Sequence, residues 1–505
     1  MQLSTAAGFL PKLIEANHHE PGPTRALAAV ARMLVKLLLL AVGLGCVLAC
    51  GWWLYCQSEN EYGRKEWARV KAELEAKGES LDWAAFVPEP VPDAENFMRT
   101  PFMEGVVYRD TFDPVLRRRL LARDAGSLTT FMRSPDDAKP SDLSAMANLL
   151  RTNFAPGTQW TSTNPAAMIL EWLQPLEADF AELRAAAALP HSQMRFSLTN
   201  AVDPYFPSFV VLRLLAQNFA VLATAHLADG QAQLALEDIR VILALSQATE
   251  DHGGLVGFMI ASAIDSLVCG PIAEGLLDHR WNDQQLAELD RRLARIDLLK
   301  KYPAAIRRER VAVNQAFDNW TSLSALSVRS SPLPILEKWL EPFRPPGWIL
   351  YGKALANEIL QTHLVEQYDP IRQVVHVASS ANLSGQLNTL QASKHPRDQF
   401  AAMVVPSFVR VLEVTAKNQT GIAQARIATA LERYRLAHGQ LPDDLHQLGE
   451  LLIDPPHDLV SGEPLRYRRL TDDHYLLWAV GLNGVDEDGT VGDGKIIGDW
   501  VWFGF

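Results

Sequence analysis

The hydrophobic pattern near the N-terminus is dominated by one uninterrupted apolar run, residues 37–56, which contains no charged side chain. At 1.5 Å per residue this run forms about 30 Å of helix, which is the thickness of the hydrocarbon core of a bilayer. Trp52, Trp53 and Tyr55 lie at its C-terminal edge, where aromatic rings favour the headgroup region. The pattern predicts a single transmembrane helix over residues 31–56.

The segment that follows, residues 57–104, divides into a charged part and a proline-rich part. Residues 59–77 are charged and helix-prone, which predicts a stalk that leaves the membrane and ends at Gly78. The prolines between Pro88 and Pro101 exclude a continuous helix, so this stretch is predicted to lie extended over the next domain. Its predicted anchors are Trp83, Phe86 and Phe97.

Residues 105–400 have apolar positions at helical spacing almost throughout, which predicts an α-helical domain. Pro175 predicts a kink, and Asn282 or Asp283 is predicted to cap a later helix. Short turns favour antiparallel packing of neighbouring helices, and a linker at 323–335 predicts a break. The predicted helices cover 165–189, 208–228, 231–249, 254–278 and a segment from Pro303 to about Trp320.

One hairpin of this domain has the spacing of small and large residues that is typical of a tetratricopeptide repeat. Small residues would let the paired helices approach, and large residues would fill the groove between them. The spacing does not recur one repeat later, so an ordinary antiparallel helix pair is an equal alternative. The matching residues are Leu222, Ala223, His226, Gly230, Ala235, Ile239, Ile242 and Leu243.

Residues 401–505 predict a small α+β domain, because helical spacing gives way to alternation. A long helix is predicted to end at Gly439, and a short helix is predicted over 443–452. Residues 461–470 and 473–481 alternate as strands do, with a turn between them. The Gly/Asp-rich tail is predicted to return to an edge strand.

Residues 420–505 resemble the globular domain of the major pseudopilin of type II secretion systems. The resemblance depends on ALERYRLAHGQLP, SGEPLRYRR, LLWAVGLNG and a Gly/Asp loop that ends at Asp499 and Trp500. The processing signature of pilins is absent, and the apolar run lies far upstream. The resemblance therefore implies a pseudopilin-like head domain in a chain that does not polymerise as a pilin.

In the pseudopilin family the Gly/Asp loop holds a calcium ion, and the resemblance implies a Ca²⁺ site here. Oxygen ligands on a flexible loop suit Ca²⁺. The match is incomplete because Lys495 falls near an expected aspartate. An EF-hand is excluded, since Val491 replaces the turn glycine and Ile497 the bidentate glutamate. Solvated turn carboxylates are the alternative. The candidate metal ligands are Asp486, Asp488, Asp493 and Asp499.

Charge and cysteine content narrow the classes of partner. The net charge is −12 and no basic stripe offsets it, so the chain is predicted not to bind nucleic acid. Cys46, Cys50, Cys56 and Cys269 form neither a disulfide framework nor a zinc-ligand spacing. Cys50 resembles the acylated residue of a lipoprotein processing site. The apolar run continues beyond it, however, so an uncleaved anchor is predicted.

Orientation is predicted from the residues that flank the membrane segment. Basic residues occur on both sides, but the upstream ones lie closest to the apolar core. A large C-terminal region is also the usual translocated part of a signal anchor. Residues 1–30 are therefore predicted to form a cytoplasmic tail, and the bulk of the chain to be extracytoplasmic at a bacterial inner membrane.

No catalytic or cofactor-binding motif is recognisable, and whether the chain is an enzyme stays open. Asp265 lies in a predicted apolar helix, where it is either a site residue or a structural hydrogen-bonding group. The predicted function is an interaction or scaffold protein with a protein partner. The alternatives are an enzyme or ligand-binding receptor with its site in the helical domain, and an accessory component of a secretion or pilus-like system. A polar pocket with converging ionisable groups would favour the receptor, and an exposed apolar groove the scaffold.

Overall fold

The computed structural model shows a mainly helical protein, with 66% helix and 6% strand, which confirms the predicted mainly α class. It describes residues 22–504 with internal gaps, and the predicted linker at 323–335 lies outside the described residues. The gaps are 109, 135, 138, 196–207, 251–253, 320–343, 377–384, 386–387, 391, 394, 396, 399–409 and 493–497.

Helix α1 runs without interruption from Gly22 to Ala76, so the predicted membrane segment and stalk form one helix. Gly78 adopts φ +76° just beyond it, as predicted for the residue that ends the stalk. Among the described residues, three helical segments are long and apolar enough to cross a membrane. The apolar window of Ala29–Ala76 is 0% buried, whereas the windows of Phe209–Ala228 and Gly254–Leu277 are 83% and 67% buried inside the protein.

Helix α1 is attached to the rest of the chain where it crosses the helix Pro346–His363 at two glycines. A Cβ on Gly63 would lie 2.0 Å from the Gly347 carbonyl oxygen, so the backbones approach as only glycines allow. The Trp348 indole donates a hydrogen bond to the Glu59 carboxylate at 2.9 Å. The predicted stalk is therefore packed along the body of the protein from Glu59 onward.

The proline-rich segment forms short 3₁₀ turns between extended residues. These turns are Trp83–Phe86, Asp93–Glu95 and Phe97–Arg99. Trp83 and Phe97 are buried and Phe86 is half-buried, in agreement with their predicted role as anchors.

The helical body contains the predicted hairpin, formed by α7 (Phe209–Ala228) and α8 (Ala232–Glu250) with Gly230 at φ +78° between them. Two predictions were wrong in detail. The helix predicted over 254–278 is divided at Val268, because Pro271 has no N–H to donate to the Leu267 carbonyl. The helix predicted from Pro303 begins earlier. The helices after α1 are α2 (Pro101–Val107), α3 (Pro114–Leu121), α4 (Leu143–Leu149), α5 (Pro165–Leu173), α6 (Glu177–Ala186), α7 (Phe209–Ala228), α8 (Ala232–Glu250), α9 (Gly254–Leu267), α10 (Cys269–Leu277), α11 (Asp283–Leu293), α12 (Leu298–Asp318), α13 (Pro346–His363) and α14 (Val411–His438).

Local signals in the sequence explain several of these boundaries. Asn282 caps α11 in a capping box with Gln285, as predicted. The Asp297 carboxylate accepts a hydrogen bond from the Lys300 amide at 2.8 Å, which explains the early start of α12. The predicted kink at Pro175 is a 3₁₀ turn, Gln174–Leu176, between α5 and α6.

The C-terminal region has the predicted succession of elements. Helix α14 ends at Gly439 (φ +78°), and a 3₁₀ helix, Leu445–Leu451, occupies the position of the short helix. A three-stranded antiparallel sheet follows, with its second strand in the centre. Its strands are β3 (Arg466–Arg469), β4 (Tyr475–Ala479) and β5 (Trp500–Gly504), and a separate two-stranded hairpin is formed by β1 (Tyr368–Asp369) and β2 (Val374–Val375).

The helical body and the C-terminal region share one hydrophobic core. Leu477 of β4 and Trp502 of β5 belong to the same cluster of buried side chains as Ile422 of α14 and Phe219 of α7. Apolar surface is thus buried across the predicted boundary at residue 401, which itself falls in a gap. In the described residues the sheet is a face of the body and does not stand apart from it.

Candidate functional site

A polar pocket of about 490 Å³ opens between α8, α9, the start of α12 and the segment that follows α6. This volume lies within the usual range of small-ligand sites, about 300–1,000 Å³. Its ionisable lining residues are His191, Arg240, Glu250, Asp265, Arg292, Arg295 and Lys301. The pocket lies in the helical domain. A ligand-binding site in this domain is one of the functions that the sequence leaves open.

Asp265 of α9 is the most deeply buried acidic group of this pocket, with 5% of its surface exposed. Burial raises the pKa of its carboxyl to about 7, against the lowering effects of the Ser246 hydroxyl and the Lys301 ammonium group. The Ser246 hydroxyl donates a hydrogen bond to the Ala261 carbonyl at 3.2 Å, which ties α8 to α9 beside it. Near neutral pH this carboxyl can therefore either donate or accept a proton.

Glu250 and Lys301 form an ion pair at the same side of the pocket. The Lys301 ammonium lies 2.5 Å from a Glu250 carboxylate oxygen, joining the end of α8 to the first turns of α12. Both side chains are about a third exposed or less, at 34% and 20%. Lys301 lowers and Glu250 raises the pKa of Asp265, so the two members of the pair act in opposite directions on that carboxyl.

Glu288 lies outside the pocket lining and binds two arginines that line it, Arg240 and Arg292. It accepts two hydrogen bonds from Arg240, at 2.8 and 2.7 Å, and one from Arg292 at 2.7 Å. The hydrogen bonds from Arg240 are the largest cause that lowers the pKa of Glu288 to about 2. The arrangement has one carboxylate for two guanidinium groups, which leaves a net positive charge on this wall.

Arg295 lies just after the end of α11, on the same wall. Within the part of the chain that the structure describes, its side chain has no hydrogen bond or ion pair, and it is exposed at the rim. Its guanidinium group is therefore available to a ligand.

The proline-rich segment contacts the wall of the pocket that lies across from Asp265, which is formed by the residues after α6. Phe97 donates its backbone N–H to the His191 carbonyl at 2.8 Å, and the Asn96 side chain donates to the Gln193 carbonyl and accepts from the Gln193 amide. The Ser192 hydroxyl donates to the Ala244 carbonyl of α8 at 2.6 Å. These contacts fix the segment that follows α6 across the pocket from Asp265.

Sequence reasoning singled out Asp265 but missed its companions. Asp265 was recognisable as a charged residue in an apolar helix. The arginines and Lys301 lie on helices with ordinary charged surfaces, and no spacing in the sequence marks them as neighbours. Only the packing of α8, α9, α11 and α12 brings them together.

The predicted metal ligands in the C-terminal loop are placed in different surroundings. Asp486 accepts hydrogen bonds from Arg466 at 2.6 Å and from the Trp478 indole at 2.9 Å. Asp488 is paired with Arg468 at the surface. Asp493 lies outside the described residues.

Asp499 is the buried member of that set, with 3% of its surface exposed. One carboxylate oxygen accepts from the backbone amides of Glu487 and Gly489, at 3.0 and 2.8 Å, and its other oxygen is buried without a partner. Burial raises the pKa of Asp499, and the nearby Glu487 and Asp486 raise it further. Among the described residues no group of three or more His, Cys, Asp or Glu side chains is arranged to hold a metal. The calcium site stays a prediction, and Asp499 is its buried candidate ligand.

Two further features concern the alternative functions that the sequence left open. The Cys269 thiol is buried, which raises its pKa to about 12 and makes it a poor nucleophile. A second cavity, of about 710 Å³, is lined by Leu445, Leu452, Pro455 and neighbouring apolar residues of the C-terminal region. Arg372, Asp444, His446 and His457 also line it, so the groove is apolar in part, which is compatible with an interaction role.

No protein-family model, curated protein or solved structure matches this chain.

Proposed function

We propose that this protein is a membrane-anchored receptor whose helical body binds a small polar ligand in the pocket around Asp265. The observation that carries the proposal is the burial of this carboxyl at the wall of a pocket where charged groups from several helices converge.

The cost of burying such groups supports a role in binding. An ionisable side chain in the interior destabilises the fold unless it is paired or neutralised. Within the described part of the chain no arginine or histidine is bonded to Asp265, whereas its charged neighbours face a space large enough for a ligand. Perturbed titration in a pocket is typical of binding and catalytic sites.

The membrane arrangement is proposed as one transmembrane segment over residues 31–56 of a bacterial inner membrane, with the N-terminus cytoplasmic. The fully exposed apolar window of α1 supports a spanning role, because the other two apolar segments are mostly covered by protein. A phosphatase fusion after Phe505 is expected to be active and a fluorescent cytoplasmic reporter dark. The reverse result would contradict the extracytoplasmic placement.

An interaction or scaffold role is the second candidate, supported by the apolar groove beside Leu445 and Leu452. The hairpin α7 and α8, which we propose as a tetratricopeptide-like pair, would add a further protein-binding surface. A photo-crosslinking residue at exposed His446 is expected to give a discrete adduct in native membranes. The same residue at exposed Asp472 is the control, and equal labelling from both would contradict the groove as a docking site.

The pseudopilin resemblance supports a third candidate, an accessory component of a secretion or pilus-like system. The order of α14, the 3₁₀ helix and the antiparallel sheet is compatible with it. Crosslinks from His446 to pilin-type subunits would favour this candidate. Calcium in the loop around Asp499 is expected to raise the melting temperature, and the loss of that rise in Asp499→Asn but not in Asp472→Asn, an exposed aspartate outside the loop, would locate the ion.

The proposed binding site is tested with the full chain in detergent micelles. Thermal shift is measured against a panel of small organic acids, amines and sugars, and at least one class is expected to stabilise the protein. Ala188→Trp would fill the mouth of the pocket from an exposed position and is expected to abolish the shift. Ala185→Trp, on an exposed face outside the lining, is the matched control. Binding that survives Ala188→Trp, or no binding by any member of the panel, would sink the receptor proposal.

A further inference from the structure

We infer that the ligand of this pocket is a small organic anion, held through a carboxylate or phosphate group by the arginine wall (Arg240, Arg292 and Arg295) and by a hydrogen bond from the protonated Asp265 carboxyl. This inference rests on the proposed function and names the class of ligand.

The charges that line the pocket differ from those of the whole chain. The protein carries a net charge of −12, yet the pocket is lined by Arg240, Arg292, Arg295 and Lys301 against Glu250 and Asp265. An anion is repelled by most of the molecule and attracted here, so the basic lining is a local feature and does not follow from composition.

The ion pairs of the pocket do not neutralise all of its positive charge. Lys301 is neutralised by Glu250, and Glu288 neutralises one of the two arginines it contacts. Arg295 has no ion-pair partner among the described residues. The wall formed by Arg240, Arg292 and Arg295 therefore presents about two uncompensated guanidinium charges, which suit bidentate binding of a carboxylate or phosphate.

Asp265 assists anion binding at this wall when its own carboxyl takes up a proton. An anion placed beside a carboxylate would be repelled, so binding must favour the protonated carboxyl, which can donate a hydrogen bond to the anion. Among the described residues, the groups that face Asp265 are Ser246 and Glu250 from α8 and Lys301 from α12, with Cys269 one turn further along the chain. None of these is a cation bonded to Asp265 that would prevent its protonation.

Binding of an anion is therefore linked to proton uptake. Because the pKa of Asp265 is about 7, roughly half of the free molecules carry the proton at neutral pH. The bound complex carries it in nearly all molecules. About half a proton is expected to be taken up per anion at pH 7, and affinity is expected to rise as pH falls toward 6.

The test is isothermal titration calorimetry of the full chain in detergent, at pH 7, with probes of similar size. The probes are succinate and glycerol phosphate as anions, erythritol as the neutral analogue and putrescine as the cation. Either anion or both are expected to bind, while erythritol and putrescine are not. The relative affinities of succinate and glycerol phosphate decide between a carboxylate and a phosphate as the recognised group.

Two variants assign the binding to this pocket. Arg295→Gln is expected to weaken the anion by about tenfold, whereas Arg291→Gln, an exposed arginine outside the lining, leaves affinity within about twofold. Asp265→Asn keeps the size of the side chain and is expected to abolish proton uptake, measured in two buffers of different ionisation enthalpy. Unchanged proton uptake in Asp265→Asn, or unchanged affinity in Arg295→Gln, would overturn the inference.

The inference and the proposed function fail in different ways. If erythritol or putrescine binds in a manner that Ala188→Trp abolishes, the anion class is wrong and the receptor proposal stands. If no probe and no member of the wider panel binds, both are wrong.

Discussion

Asp238 and Asp265 lie on neighbouring helices, and both are buried, with 0% and 5% of their surfaces exposed. Asp238 of α8 contacts the His226 imidazole at 2.7 Å through one oxygen and Arg184 at 2.7 Å through the other. Arg184 in turn contacts Glu177 at 2.6 Å. In the described residues, Asp265 has nearby only the Ser246 hydroxyl and the Lys301–Glu250 pair.

The difference shows how to separate a structural buried charge from a functional one. Burial raises the pKa of both carboxyls, but at Asp238 the bonded His226 and Arg184 oppose it from a closed network in the core. At Asp265 the carboxyl faces a pocket. A carboxylate whose oxygens both have partners at hydrogen-bond distance holds helices together, whereas one that faces a cavity is available to a ligand.

The largest effect is expected from Asp238→Ala. The change leaves Arg184 buried without its main partner, so the free energy of unfolding is expected to fall by about 3–5 kcal/mol. Chemical unfolding of the full chain, followed by tryptophan fluorescence, measures the loss. Asp229→Ala, at the exposed turn between α7 and α8, is the control and is expected to change stability by about 0.5 kcal/mol or less. Equal losses would contradict a structural role for the closed network.

Asp265→Asn is expected to act mainly on pH dependence. The folded carboxyl keeps its proton up to about pH 7, while the unfolded group releases it near 3.8. The folded state therefore binds more protons in this window, and wild-type stability falls as pH rises through it, by about 1.4 kcal/mol per unit. Asn cannot titrate, so the difference between wild type and variant is expected to show this slope up to pH 7 and to level off above it. A flat difference would mean that Asp265 is solvated.

A smaller effect is expected from Glu288→Gln. Loss of the carboxylate leaves Arg240 and Arg292 facing each other, and about 1–2 kcal/mol of stability is expected to be lost at neutral pH. The pKa of Glu288 is lowered to about 2, so its contribution is present above about pH 4.5 and is lost as pH falls through 2. Glu237→Gln is the comparison, because among the described residues the Glu237 carboxylate contacts only Gln233. A loss as small as that of Glu237→Gln would show that the arginine wall needs no support.

The smallest effect is expected from Arg468→Gln, which removes the partner of Asp488 at the surface. Both side chains are largely exposed, at 43% and 75%, so the pair is expected to contribute about 0–1 kcal/mol. Unfolding at low and high salt checks the value, because screening should remove it. A loss comparable to that of Asp238→Ala would erase the distinction between exposed and buried aspartates.

The local signals in the sequence were sufficient for most elements. Gly78, Gly230 and Gly439 mark the ends of helices because each adopts positive φ at little steric cost. The division at Val268 was missed because the effect of Pro271 reaches four residues back along the helix. The attachment of α1 to α13 was also missed, since the close approach at Gly63 depends on a residue far away in the chain.

What the sequence by itself determined is a long apolar N-terminal helix, the mainly helical class and the order of the C-terminal strands, because each follows from a pattern of neighbouring residues. It also identified Asp265 as a residue that needs an explanation. Only the tertiary structure decided that Asp265 faces a pocket while Asp238 is closed by His226 and Arg184. Those contacts join residues of different helices, and the energetic state of a buried charge is set by what packs against it in space.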